Sequence, residues 1–170
     1  MVFPDSGYAV SVGSSDLALG VLQWLHVFFG IVWIGLLYYF NFVQTPTMPT
    51  IPAELKPGVS KYIAPKALFY FRWGAAFTVL TGLLLAWTYD ELTEALTLQP
   101  AARLIGIGMY MALIMAFNVW VIIWPNQKKV LGIVPADDTA KAKAAATAGI
   151  ASRLNVLLSI PMLLCMTNAH

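Results

Sequence analysis

Between Leu17 and Val43 the chain carries no Asp, Glu, Lys or Arg. A helix over those positions is about 40 Å long at 1.5 Å per residue, more than the roughly 30 Å of a bilayer's hydrocarbon core. Three further stretches have the length and apolarity to do the same, 67–89, 104–124 and 148–167, and Arg72 and Arg153 are the charged residues within them. A chain in lipid must satisfy its backbone amides internally, which limits it to helices or a closed barrel. No alternating strand pattern is present. The expected fold is therefore all-α: a single membrane domain over residues 1–170, a polytopic bundle of four transmembrane helices. Composition agrees, with 59% of residues hydrophobic and 11% charged, against roughly 25% charged in a soluble domain, and a mean hydropathy of +0.74.

Basic residues fix the expected orientation, because Lys and Arg beside a span resist translocation while acids count for little. Residues 44–66 hold Lys56, Lys61 and Lys66, and residues 125–147 hold Lys128, Lys129, Lys141 and Lys143. The connection 90–103 holds Arg103, and neither the first 16 residues nor the C-terminus holds any Lys or Arg. Both termini are expected outside, on the periplasmic face, with loops 1 and 3 cytoplasmic. The pI near 8.7 is then a matter of topology, and no nucleic-acid partner is expected. The first run lacks the basic flank and cleavage site of a signal peptide and is expected to stay as a helix. Cys165, inside the fourth run, is expected to be a small packing residue.

The connections carry their own signals. Ser14, Ser15 and Asp16 mark a helix start. Residues 44–66 contain Pro46, Pro49, Pro52, Pro57 and Pro65, a density that argues for an extended, pinned cytoplasmic strap. The acidic connection after Tyr89 could form a short amphipathic helix. Asp137 or Asp138 can cap an Ala-rich helix over 138–147. Running on into the fourth span, it would reach about 45 Å and project as a stalk. Tyr8, Trp24, Trp87, Tyr89, Trp120 and Trp124 form the expected interfacial aromatic belts.

Polar residues inside the spans are the functional candidates. His26, Gly30, Trp33, Asn41 and Gln44 recur on one helical face that must turn toward protein. Arg72 lies on the second span, sharing a face with Ala75, Ala76, Val79 and Gly82 and flanked by Thr78 and Thr81, a small and polar surface suited to close packing; Asn118 lies on the third span, and Ser152, Arg153, Asn155 and Ser159 on the fourth. A guanidinium in the membrane costs at least about 2.5 kcal/mol. It requires carbonyls, amides, a lipid phosphate or a bound acid, or else it snorkels to the interface. Asn118, Asn155 and Ser159 can serve as interhelical hydrogen bonds of about 0.6 kcal/mol each, and the methionines as core filler. His26 is the candidate ligand or proton carrier. His170 is expected at the outer surface, so a haem b on His26 would be five-coordinate or take Met109, Met111, Met162 or Met166 as its second ligand. The spans hold too few His, Cys and carboxylate groups for a copper or zinc centre.

The strings LHVFFGIVWIGLLYYFNFVQTP, FYFRWGAAFTVLTG, NVWVIIWPNQKKVLG and ASRLNVLLSIPMLLCM resemble the membrane domain of bacterial cytochrome-linked urate hydroxylases, the urate oxidase N-terminal family. A weaker likeness in the first helix alone links the chain to four-helix protoporphyrinogen oxidases and copper-resistance membrane proteins, where a first-helix histidine is associated with haem or metal. The resemblance implies a site drawn from His26, Trp33, Arg72, Trp73, Asn118, Trp124, Gln127, Arg153 and Asn155. It does not extend to the cytochrome c tail of the larger members, so the chain is expected to be truncated to four helices.

The function expected is that of an integral-membrane subunit of a larger redox or electron-transfer complex. It would pack against partner subunits and phospholipids, and hold a haem b, quinone or lipid through His26 and the arginines. With one candidate ligand and no acids in the spans, an accessory subunit is expected rather than a complete enzyme. The alternative is a haem-dependent oxidoreductase of the urate hydroxylase type, acting on a small heterocycle and passing electrons to an external cytochrome c. A transporter is disfavoured by the missing inverted repeat and acidic relay. The expected location is the bacterial inner, energy-transducing membrane.

Overall fold

The computed structural model describes residues 13–169, and every regular element among them is helical. In chain order these are α1 (Asp16–Thr50) and α2 (Lys56–Thr88), a short α3 (Leu92–Leu96), then α4 (Arg103–Val130) and α5 (Asp138–Thr167). All but α3 are long and apolar enough to cross a membrane. Contacts run in opposite senses along neighbouring helices. Phe29 stacks on Phe77 and Phe40 meets Phe71 between α1 and α2. Asn118 bonds Asn155 while Gly108 abuts Cys165 between α4 and α5. Asn41 bonds Ser152 and Tyr38 meets Ser159 between α1 and α5. The result is an up-down-up-down bundle around Trp33, Leu37, Phe71, Met115 and Val119. Its outer surface is apolar: Trp24, Ile31, Phe42, Leu157 and Leu164 are each more than 60% exposed.

The proline-rich stretch corrects the expectation of an extended strap. Only residues 51–55 interrupt the helices there, and α1 passes through Pro46 and Pro49. A proline in an α-helix loses a donor and drives its ring into the carbonyl four residues back. The chain relieves that clash by widening the preceding turn. Thr45, Ala64 and Trp124, the residues before Pro46, Pro65 and Pro125, donate their N–H groups five residues back, to Phe40, Val59 and Val119. Each proline thus follows a π-helical turn, Tyr39–Gln44, Val59–Ile63 and Asn118–Ile123, as insertions of this kind permit. In α5 the helix continues with Pro161 inside it.

The third connection is short and conventional. Gly132, at φ +73°, takes the left-handed position after α4, with Ile133 N–H reaching back to the Lys128 carbonyl at 2.9 Å, a C-terminal closure favouring glycine. Asp137 then caps α5 by accepting the Ala140 N–H at 2.7 Å. The Ala-rich start of α5 packs closely, with Ala144 and Ala148 buried where α5 meets the Trp124–Val130 end of α4, as small side chains allow. At the other end, α3 seats the fully buried Ala95 over Gly106. Tyr8 and His170 lie outside the described residues.

Candidate functional site

His26 sits in the seam between α1 and α2. Its Nδ1 lies 3.0 Å from the Thr78 carbonyl oxygen and 3.1 Å from the Thr81 hydroxyl. The Thr81 hydroxyl is itself 2.6 Å from the Phe77 carbonyl, to which it donates, and so can accept from the ring. A carbonyl can only accept, so a proton belongs on Nδ1, and in the neutral ring the Nε2 lone pair is left bare. Room for the ring comes from Gly82: a Cβ there would stand 2.8 Å from the imidazole Cε1. The sequence pattern pointed to small residues on this face of α2, and their use is to admit and orient one imidazole.

Arg72 is 91% buried by the complement of its 9% exposure. Nη1 donates to the Leu68 carbonyl at 3.2 Å, Nε is buried without a partner among the described residues, and the guanidinium carbon lies 3.4 Å above the centre of the Trp124 ring. Lys128 Nζ approaches the same ring at 5.8 Å. A desolvated cation–π contact contributes about 2 kcal/mol, close to the smallest insertion penalty for arginine of about 2.5 kcal/mol. The aromatic face is thus the counterpart that the sequence left unnamed. Trp124 serves as a platform for the guanidinium, and Trp120 packs edge-to-face on Trp73 at 5.6 Å.

Asn118 and Asn155 use their amides on each other and on the backbone. Asn118 Nδ2 donates to Asn155 Oδ1 at 2.8 Å, and Asn155 Nδ2 donates to the Met115 carbonyl at 2.9 Å. The pair locks α4 to α5 at the widened turn before Pro125. Residues 87–170 match the urate oxidase N-terminal family. The urate oxidase N-terminal match takes in α3, α4 and α5, with Asn118, Trp124, Gln127, Arg153 and Asn155. His26, Trp33 and Arg72 precede it. Comparison with curated proteins and with solved structures gave no match.

His26, Trp33, Arg72, Asn118, Arg153 and Asn155 do not gather at one point. Gly82, under His26, is ten residues from Arg72, about 15 Å along α2. Trp33 is fully buried, its Nε1 without a partner among the described residues, filling the core against Gly74, where a Cβ would lie 3.2 Å from the Trp33 backbone nitrogen. Arg153 leaves the polar stripe expected on the fourth span. It is exposed while Asn155 and Ser159 are fully buried, because residues two apart face opposite sides of a helix. Asn41 reaches Ser152 at 2.7 Å, and Tyr38 and Ser159 share a hydrogen bond at 2.9 Å, so the polar face of α1 is used in joining helices.

Proposed function

We propose that this chain is the integral-membrane module of a larger redox assembly in a bacterial inner membrane, with His26 as its haem-binding residue. Both termini lie outside and the lysine-bearing connections lie in the cytoplasm, as the distribution of basic residues favours. The family match supports a membrane domain related to urate oxidase N-terminal proteins. The observation that carries the haem assignment is the oriented imidazole, with Nδ1 held by the Thr78 carbonyl, which in the neutral ring leaves Nε2 free to ligate. Ligating histidines are commonly oriented this way, by a hydrogen bond from the other ring nitrogen.

His26 would hold a haem b through Nε2, and that group when bound would supply one-electron chemistry. The chain's own residues do the rest: Thr78 and Thr81 hold the ring at one tautomer, Gly82 admits it, and the apolar flanks of α1 and α2 keep water away. Arg72 on Trp124 and the Asn118–Asn155 pair fix the α2–α4–α5 side of the bundle. Partner helices would cover the exposed aromatic face of α1 and α2, where Phe28, Phe69, Tyr70 and Trp73 border a groove of about 750 Å³.

An optical spectrum tests this directly. Wild-type protein purified in mild detergent from haem-replete cells should show a Soret band, and His26→Ala should lose it while keeping its helical circular dichroism. A colourless wild-type protein, or an unchanged band in the variant, contradicts the assignment. The second reading, a complete oxidoreductase of the urate hydroxylase type, has the family match in its favour. It requires that the same preparation reduce cytochrome c when given a small oxidisable heterocycle.

A further inference from the structure

Arg153 is an exposed cation midway along a helix long and apolar enough to cross a membrane. It borders a pocket of about 520 Å³ between α5 and α1, lined also by Asn41, Phe42, Thr45, Pro46 and Val156. Neither wall offers a counter-ion. The only acid on α1 is Asp16, 25 residues or about 37 Å along the helix from Asn41. The only acid on α5, Asp138, is fifteen residues or about 22 Å from Arg153, and pairs with Lys141 at 3.8 Å. Asn41 has committed its Nδ2 to Leu37 and Ser152. The donors that remain for an incoming group are the Arg153 guanidinium and the Thr45 hydroxyl.

We propose that this pocket holds the phosphate of an anionic phospholipid, with an acyl chain laid along the stripe that begins at Arg153. The stripe is Leu157, Ile160 and Leu164, exposed by 66%, 63% and 64%, on the same face at spacings of four, three and four. From Arg153 to Leu164 is about 16 Å along the axis, half of a hydrocarbon core of roughly 30 Å. A cation at one end of an aliphatic strip one leaflet long matches a phospholipid's headgroup and tail in both chemistry and length. Lys141 and Lys143 lie on the same side of Arg153 as the headgroup would. Arg153, with no counter-ion on either wall, selects a lipid with net negative charge over a zwitterionic one, whose own cation would be repelled. The proposal does not involve His26 and stands whether or not haem is bound.

Native mass spectrometry of the detergent-solubilised full chain, titrated with phosphatidylglycerol or phosphatidylcholine, tests it. Phosphatidylglycerol should be retained in preference, and Arg153→Leu should weaken its retention about fivefold, the equivalent of roughly 1 kcal/mol for one basic side chain at an anionic headgroup. Lys128→Leu should change it little. Arg153→Lys should restore part of the loss, because charge survives without the guanidinium fork. Equal retention of the two lipids overturns the proposal, as does equal loss in Arg153→Leu and Lys128→Leu, or displacement of the lipid by millimolar inorganic phosphate alone. Arg153 is outward-facing and makes no hydrogen bond among the described residues, so the variant should fold, which thermal unfolding checks independently.

Discussion

Gly106→Val should unseat α3 and destabilise the bundle by about 3 kcal/mol, the upper range for forcing extra methyl groups into a packed site. A Cβ at Gly106 would run into the Ala95 carbonyl oxygen, and also lie 2.9 Å from Leu98 Cδ2. The carbonyl belongs to backbone, not to a side chain that can swing aside. Ala95 is fully buried, and Leu98 already holds a left-handed φ of 55°, so neither neighbour can yield cheaply. Gly35→Ala is the control, since nothing lies within 4 Å of a Cβ there, and it should stay within about 0.5 kcal/mol. Chemical unfolding in detergent measures both, and equal stability of the two variants would refute this account of the α3 contact.

Gly82→Val should act on His26. The added side chain occupies the place of the imidazole, whose Cε1 would be 2.8 Å from the new Cβ. Expelling the ring gives up the contacts to Thr78 and Thr81 and any ligand held by Nε2. Loss of about 2 kcal/mol is expected, combining overpacking with a hydrogen bond left unmade, together with loss of the Soret band that the proposed haem would give. Removing the ring should remove most of the penalty. In a double-mutant cycle the Gly82→Val cost measured in a His26→Ala background should fall to less than half its value alone. An additive cycle would mean that Gly82 answers to some other neighbour.

The four helices were legible because an apolar run with no acid and at most one arginine, long enough to span hydrocarbon, permits little else. Their ends were not. Pro46, Pro49 and Pro65 read as helix breakers, yet π turns at Tyr39–Gln44 and Val59–Ile63 carry the chain through two of them. That accommodation depends on the packed surroundings, and no local residue pattern announces it. The inward face of α1 was readable from spacing, and His26, Trp33 and Asn41 all turn toward other helices. Its partners were readable only as a small, polar surface on α2, not as Thr78, Thr81 and Gly82 meeting one ring. Arg72 was a different case. The absence of acids in the spans argued for carbonyls or phosphate; the structure supplies one carbonyl, that of Leu68, and adds the face of Trp124, a partner that a belt assignment had concealed. Arg153 was grouped with Asn155 by sequence proximity, and the helix turns the two apart.

The central claim is that His26 carries its proton on Nδ1 and offers an unprotonated Nε2 within the α1–α2 seam. Solid-state nitrogen NMR of histidine-labelled protein in bilayers, with His26→Ala to assign the signal, measures this directly. The account predicts a protonated Nδ1 coupled to the Thr78 carbonyl and a bare Nε2. A bare Nδ1 with the proton on Nε2 would contradict it.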